Sequence, residues 1–486
     1  MDQLTNRDAG WREELRQSLS AKQRTSIPRG KMPELPASYR VTSNHEVNQG
    51  LSTEMAVLEA SRCLDCPDPQ CITGCPVNIN IPSFIKNIER RHFKDAASVL
   101  RMTSALPAVC GRVCPQERQC ESKCIYNKMK KAPVAIGYLE RFAADTENQR
   151  DKSNDTTESV KANGKKIAVA GSGPAGLSFA GAMAAKGYDV TVFEALHEIG
   201  GVLKYGIPEF RLPNKVVDIE IEALEKAGVK MVKDCIIGKT LSYDRLLDMG
   251  FEGIFVASGA GLPRFMGIPG ENYINIMSSN EYLTRINLMH AGTPGYATPV
   301  PVVKRVAVIG GGNTAMDSVR TARRMGAEEV MLVYRRSEEE MPARVEEVKH
   351  AKEEGVTFLT LHNPIEYLAD ENGKVRAMRV QRMELGEPDE SGRRSPIPVE
   401  GAIDEIPVEL VIVSVGVSPN PLIPDNIEGL DVTRRGTIAV NDQLQSSIPT
   451  IFAGGDIVRG GATVILAMGD GRKAAAEMHK KLQGEE

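Results

Sequence analysis

The chain has 486 residues, 41% apolar content and a formal net charge of −4, enough for about three domains with sizeable cores. The near-neutral balance and the lack of a basic stripe exclude a nucleic-acid footprint. No run approaches ~18 apolar residues, and the polar N-terminus MDQLTNRDAGWREELRQ lacks a signal-peptide core, so no membrane span is expected and the cytoplasm is the expected compartment.

Residues 1 to about 45 are polar and contain proline, and they read as an extended arm. Residues 52–62 (STEMAVLEASR) read as a short helix with a Ser/Thr start. Helical periodicity recurs over 81–101 and 134–146. Between these helices lie eight of the nine cysteines: Cys63, Cys66, Cys71 and Cys75, then Cys110, Cys114, Cys120 and Cys124. Thiolates this dense need a shared reason, and soft sulfur suits iron–sulfur clusters or zinc. In a reducing compartment, metal or redox work is the commoner use of such cysteines than disulfides. The spacings favour iron–sulfur clusters, with zinc and disulfides as the alternatives. Only Cys63 and Cys66 form a CxxC pair of the zinc-finger kind, and the prolines after Cys75 and Cys114 resemble the Cys-Pro step of ferredoxins. Cys235 stands alone and reads as a packed thiol.

Residues 146–164 (TENQRDKSNDTTESVKANG) read as a solvated linker. The pattern then changes to strand, glycine turn, helix, strand. Gly171-Ser-Gly173-Pro174-Ala175-Gly176 follows the β-rich KIAVA. Its glycines serve a tight turn, close approach of a pyrophosphate, and close helix–strand packing. Glu194 ends the next strand, 18 residues past Gly176, where its carboxylate can accept from a ribose. A second such unit holds Gly310-Gly-Gly312-Asn313-Thr314-Ala315, and its second strand ends in Arg335-Arg336 in place of an acid. Two guanidiniums there suit a 2′-phosphate and point to NADPH rather than NADH; Arg344 in the following loop is a candidate third cation. In the C-terminal segment FAGGD, Gly455 and Asp456 end a strand, with Asp456 placed to accept from the ribityl chain of FAD. A helix from about Thr463 can aim its N-terminal dipole at the flavin. VASGA (256–260) and VSVG (413–416) read as crossovers between the two nucleotide units.

The order of these motifs resembles the small (beta) subunit family of NADPH-dependent glutamate synthase. It runs from twin cysteine segments through GSGPAG with Glu194, GGVLKYGIPEFRLP, GGGNTAMD and VYRRS to FAGGD…AMGDGRKAA. Relatives include the NADPH-binding subunit of electron-bifurcating ferredoxin:NADP oxidoreductase and the N-terminal half of dihydropyrimidine dehydrogenase. The resemblance covers roughly residues 50–480. It implies an α/β chain of two Rossmann-like domains, for FAD and NADPH, preceded by a small α-helical iron–sulfur domain. The implied boundaries are 1–150 for the arm and helical domain, 165–295 and 426–486 for the two parts of the FAD domain, and 296–425 for the NADPH domain. It also implies two [4Fe-4S] clusters. Cys63, Cys66, Cys71 and Cys124 would hold one; Cys75, Cys114, Cys120 and the non-cysteine ligand Glu140 would hold the other, with Cys110 left out. FAD contacts are implied for Gly201, Leu203 and Arg211, and NADPH contacts for Asn313, Thr314, Arg335, Arg336 and Arg344. No side-chain acid or base is required for hydride transfer. The electrons are expected to leave for a partner in a hetero-oligomer, either the glutamate synthase large subunit, which makes glutamate from 2-oxoglutarate and glutamine, or another electron-accepting subunit such as that of the bifurcating enzyme.

Overall fold

The computed structural model describes residues 2–150 and 160–484. The first 150 residues build helices rather than sheet. Helices Thr53–Ala60, Ile81–Glu89, Phe93–Arg101, Pro107–Val113 and Ile136–Gln149 surround a core of Ala56, Phe84, Ile88, Leu100, Val109 and Leu139. Ser52 caps the first of them by accepting from the Met55 amide at 3.3 Å. A Cβ on Gly111 would lie 2.5 Å from the Arg141 amide nitrogen. Helices Pro107–Val113 and Ile136–Gln149 therefore meet backbone to backbone, which fixes where the second presents Glu140.

The expected extended arm is not extended. Within residues 2–45 lie short helices, among them Gly10–Ser18, Ala21–Ser26 and Ala37–Arg40. They are held down by arginines that are themselves buried. Arg24 pairs with Glu89 at 2.7 Å, and Arg40 pairs with Glu34 at 2.9 Å and with Glu353 at 2.7 Å. Of the expected linker, the first residues belong to helix Ile136–Gln149, and 151–159 lie outside the described residues.

Two parallel sheets follow. The strands of this part of the chain are, in order, β1 (Lys166–Ala170), β2 (Asp189–Phe193), β3 (Lys230–Val232), β4 (Phe251–Val256), β5 (Leu262–Pro263), β6 (Ile276–Ser278), β7 (Arg305–Ile309), β8 (Glu329–Tyr334) and β9 (Thr357–Thr360). Then come β10 (His362–Ala369), β11 (Val375–Pro388), β12 (Arg394–Pro407), β13 (Leu410–Val413), β14 (Val417–Ser418) and β15 (Ile451–Ala453). The first sheet has the order β15-β4-β1-β2-β3 and the second β6-β13-β7-β8-β9. The central strands β1, β7 and β13 are almost wholly buried apolar runs, as parallel sheets covered on both faces require. In each sheet the chain leaves its first glycine strand on one side and returns on the other, between β1 and β4 and between β7 and β13. Those are the topological switch points at which such folds hold ligands. The short ribbon of β5 and β14 links the two units, as the VASGA and VSVG segments anticipate. The three-stranded antiparallel β10-β11-β12 was not anticipated and stands on the second unit.

The C-terminal helix Val464–Gln483 returns to the first unit and packs on helix Pro174–Ala184. A Cβ on Gly471 would overlap the Ala175 carbonyl, so the two helices approach as closely as backbones allow. One continuous apolar core runs from the helical domain into the first sheet through Leu106, Cys110, Met468, Phe179 and Phe255.

Candidate cofactor and cluster sites

The two glycine fingerprints have the same internal logic. Gly171 has φ 108°, and a Cβ on it would lie 2.5 Å from the Ala257 carbonyl, just past β4. Gly310 has φ 138°, and its Cβ would overlap the Ser414 carbonyl, just past β13. Both first glycines are thus demanded by the switch-point backbone itself. A Cβ on Gly176 would overlap the Gly171 carbonyl. Its counterpart Ala315 is fully buried, so the second loop stands far enough off for a methyl group.

The middle glycines differ. A Cβ on Gly173 or Gly312 would meet nothing within 4 Å, and neither residue has positive φ. The protein's own packing does not need glycine there. The open space lies at the N-termini of helices Pro174–Ala184 and Asn313–Arg324, where free amides face outward and a pyrophosphate is stabilised. Both cradles therefore fit a dinucleotide.

Around the first cradle, Glu194 lies beneath the loop and accepts from the Ser172 amide at 2.9 Å, the Ser172 hydroxyl at 2.5 Å and the Leu196 amide at 2.9 Å. A carboxylate has about four acceptor sites, which leaves room for a ribose hydroxyl. Gly201 has φ 54°, and a Cβ there would lie 2.9 Å from the Gly173 Cα. The Leu203 side chain is fully buried in the core. At the end of β15, Gly455 (φ 75°) abuts Ala175, and its amide donates to Asp470 at 2.9 Å. Burial pushes the Asp456 carboxyl up to about 6. Thr463 caps helix Val464–Gln483 by accepting from the Leu466 amide at 3.4 Å. The loop, the acid and the C-terminal helix thus meet at one cradle.

Several residues named from the sequence are placed elsewhere. Arg211 is buried and ion-paired with Asp317 at 2.7 Å on helix Asn313–Arg324, so its guanidinium clamps the two nucleotide units together. Arg324 lies 3.8 Å over the neighbouring Phe210 ring and tightens the same seam. Arg344 is buried against the helical domain, where it donates to the Arg112 carbonyl and to the Gln116 side chain at 2.9 Å. Its own amide donates to the Asn313 side chain at 2.9 Å, while Thr314 occupies the first turn of helix Asn313–Arg324. Of the arginine pair, Arg336 is buried and joined to Asp389 at 2.5 Å, while Arg335 is exposed at the end of β8. Arg335 is the member of the pair left in the open beside the second cradle.

The cysteines separate into two groups. After burial, the causes that push the Cys71 thiol up are Cys63, Cys124 and Cys66. For Cys120 they are Glu121, Glu140, Cys114 and Cys75. Cys110 falls with the second set, beside Cys114, Glu140 and Cys75. Segments 71–75 and 119–120 interlock, since a Cβ on Gly74 would lie 2.7 Å from the Gln119 carbonyl. Cys63, Cys66, Cys71 and Cys124 are partly exposed; Cys75, Cys110, Cys114 and Cys120 are buried.

Four thiolates on one zinc ion would stand about 3.8 Å apart. Among the described residues, the one group of ligand atoms all within 4.8 Å is Glu34, Glu346 and His350, with no cysteine in it. No three thiols among the described residues come that close together, and all nine cysteines are free of disulfides. Glu140 is buried beside the inner group; burial pushes its carboxyl up to about 8, and its Oε1 has no hydrogen-bond partner. A buried, unpartnered carboxylate oxygen among thiols has the chemistry of a metal ligand. Cys110 lies in the same group, beside Cys114, and its Sγ also lies 3.5 Å from the Met468 Sδ.

The sequence reading missed what holds the outer group. Asp65, between Cys63 and Cys66, is fully buried with φ 52°. It pairs with Arg12 at 2.5 Å and Arg16 at 2.8 Å, and its carbonyl accepts from Arg7 at 3.1 Å. Lys86 donates to the Cys63 carbonyl at 2.7 Å. The available signal was Arg12 and Arg16 four apart on one helix face.

Residues 40–152 match the family described as dihydropyrimidine dehydrogenase domain II, 4Fe-4S cluster, and residues 122–471 match pyridine nucleotide-disulphide oxidoreductase. The glutamate synthase [NADPH] small chain of Escherichia coli is 36% identical over 451 residues, 91% of this chain and 95% of that one. Subunit beta of the NADP(+)-dependent formate dehydrogenase of Moorella thermoacetica is 38% identical over 437 residues; the match spans 85% of this chain but 60% of that longer protein. Among solved structures, Mycobacterium tuberculosis FprA in complex with NADPH superposes with a TM-score of 0.55 at 21% identity, over 66% of this chain and 85% of that one, and it supports the fold. The chain belongs to the glutamate synthase small-chain family of pyridine nucleotide-disulphide oxidoreductases, with a 4Fe-4S domain at its N-terminal end.

Proposed function

We propose that the chain is the NADPH-oxidising subunit of an electron-transfer complex of the glutamate synthase type, with FAD in the first cradle, NADPH in the second, and two [4Fe-4S] clusters in the helical domain. When bound, the flavin would supply hydride acceptance from NADPH and single-electron release to the clusters. The protein's part is placement. Gly173 and Gly312 leave the phosphates room at their helix ends, and the Arg211–Asp317 clamp sets one cradle against the other. Cys75, Cys114, Cys120 and Glu140 are assigned to the inner cluster, and Cys63, Cys66, Cys71 and Cys124 to the outer one.

The observation that carries this reading is the contact between the buried cysteine group and the flavin-side helix. Cys110 Sγ lies 3.5 Å from Met468 Sδ, and a Cβ on Gly469 would lie 3.1 Å from the Pro76 carbonyl, next to Cys75. The first turns of helix Val464–Gln483 thus touch the cysteine loop directly, with no intervening element. The Escherichia coli small chain supports a large subunit making glutamate from 2-oxoglutarate and glutamine as the destination. The comparable likeness to the formate dehydrogenase subunit supports a second reading, in which the same module serves a different acceptor subunit, as a bifurcating oxidoreductase also would. Anaerobic co-purification decides: a co-eluting glutamate synthase large chain supports the first reading, and a different redox subunit replaces it with the second.

Arg335→Ala is expected to raise KM for NADPH about tenfold or more, because a hydrogen bond to a charged group contributes about 1.5–3 kcal/mol, and to leave KM for NADH unchanged. Steady-state kinetics with both nucleotides check this, and equal effects would remove Arg335 from the 2′-phosphate. Glu140→Ala is expected to change the paramagnetic resonance signal of one cluster while flavin content stays at the native level; an unaltered spectrum would return Glu140 to a purely structural role.

A further inference from the structure

Helix Val345–Glu353 carries Glu346 and His350 four residues apart, on one face. That face meets the N-terminal segment at Glu34. Glu34, Glu346 and His350 each offer a ligand atom, and the three atoms all lie within 4.8 Å of one another. Glu34 is held in place by the backbone around it. It forms an antiparallel bridge with Asn48, the Leu35 amide donates to the Val47 carbonyl at 2.9 Å, and the Gln49 amide donates to the Pro33 carbonyl at 2.8 Å. His350 is 1% exposed, and neither of its ring nitrogens has a hydrogen-bond partner. Among the described residues it is the one histidine so placed. A buried polar group without a partner calls for a physical reason. Its Nε2 stands 3.4 Å from Glu34 Oε1 with no hydrogen bond between them. Two such atoms bound to one zinc ion, at bond lengths of about 2.0–2.1 Å, stand about 3.3 Å apart in a tetrahedron. Burial also holds the imidazole below its ordinary value, so a ring nitrogen keeps its lone pair at neutral pH.

We propose that Glu34, Glu346 and His350 bind a divalent transition-metal ion of the zinc class, which staples the N-terminal segment to the second nucleotide unit. One imidazole and two carboxylates are ligand types that such an ion takes, and the nitrogen favours it over magnesium or calcium. Both glutamates are partly exposed, so water completes the tetrahedron. Glu346 Oε1 accepts from the Tyr138 hydroxyl at 3.2 Å, and its Oε2 lies 3.2 Å from Arg344 Nη2. Tyr138 stands two residues before Glu140, so the staple also reaches the helix that presents Glu140. Glu34 Oε2 pairs with Arg40 at 2.9 Å, and the Lys349 ammonium reaches the two Glu34 oxygens at 3.0 and 3.1 Å. Arg40, Arg344 and Tyr138 hold the carboxylates in orientation, as partners of metal ligands commonly do. Lys349 is exposed, and its ammonium is the competitor that the ion displaces into water. The site uses none of the cysteines and does not depend on the electron-transfer reading.

The test adds zinc chloride to the iron-loaded protein under anaerobic conditions, with iron content followed throughout. Calorimetric titration is expected to show one zinc per chain, and magnesium chloride is expected to show no binding. X-ray absorption at the zinc edge should find nitrogen and oxygen at about 2.0–2.2 Å and no sulfur at about 2.3 Å. Glu34→Gln and His350→Gln are each expected to weaken zinc about tenfold or more, since loss of a group that merely orients a ligand already costs about 10–100-fold. Lys349→Met should tighten it severalfold. Bound zinc should slow tryptic cleavage within the first 45 residues of the native protein and leave cleavage of Glu34→Gln unchanged. Absence of zinc binding, sulfur in the zinc shell, or an affinity indifferent to both glutamine variants would overturn the site. Zinc held by nitrogen and oxygen with unaltered cleavage of the native protein would overturn the staple.

Discussion

A valine at position 173 is expected to yield a folded protein that purifies without its yellow flavin. The reason is the open space at this glycine: its φ is −68°, which any residue adopts, and a Cβ would meet nothing within 4 Å. Folding therefore loses little, whereas a ligand phosphate brought against the backbone would meet two methyl groups. A misfit of this kind costs about 1–3 kcal/mol, or roughly a tenfold to hundredfold loss in FAD affinity. Absorbance at the flavin band per mole of protein, with a thermal unfolding midpoint on the flavin-free form, separates the two effects. A variant that keeps full flavin would show that the first cradle does not hold the pyrophosphate. Gly312→Val is the matched control. Its surroundings are equally open, so it should keep flavin and iron yet fail to oxidise NADPH.

The second large effect is expected at Asp65. Burial alone would raise its carboxyl, but the bonds from Arg12 and Arg16 outweigh that and hold it below the ordinary carboxylate value. Asp65→Ala leaves Arg12 buried without a counter-charge, and breaking a buried pair in this way costs about 3–5 kcal/mol. The change also puts alanine at φ 52°, a conformation that asparagine and aspartate tolerate better. The loop between Cys63 and Cys66 should then lose its shape, and about half the iron and acid-labile sulfide should be missing, with flavin retained. Asp65→Asn keeps the backbone preference and removes only the charge, so it should fall between native and alanine. Native iron content in both variants would show that the clamp is irrelevant to the outer group.

These sites differ in how visible they were before the fold was known. The two parallel units and the helical cysteine domain were legible because strand, glycine turn and helix follow one another locally, and local patterns are what a sequence displays. The first 45 residues were misread as extended for the opposite reason. Their arginines find partners far along the chain, Arg12 with Asp65 and Arg24 with Glu89, and no local pattern announces a pairing at that distance. The polar composition that normally marks a solvated arm is here consumed in buried ion pairs. Arg211 and Arg344 illustrate the same limit at the site. A guanidinium near a nucleotide motif invites a phosphate, yet these two join domains, and only the spatial neighbours Asp317 and Gln116 reveal it. The sheet of β10, β11 and β12 escaped notice because its long strands carry many charges and little of the clean alternation that marks a half-buried strand.

The placement of helix Val464–Gln483 has a consequence for biosynthesis. β15 pairs Ile451 with Ile254, and Met468 meets Cys110 across 358 residues of sequence. A nascent chain leaving the ribosome can fold its early helices and its second nucleotide unit, but the first sheet lacks an edge strand and the buried thiols lack a wall until β15 and helix Val464–Gln483 emerge. Long-range closure of this kind is slow compared with local folding. Sealing of the inner thiol chamber and completion of the flavin cradle therefore come late in folding, and both wait on the same helix.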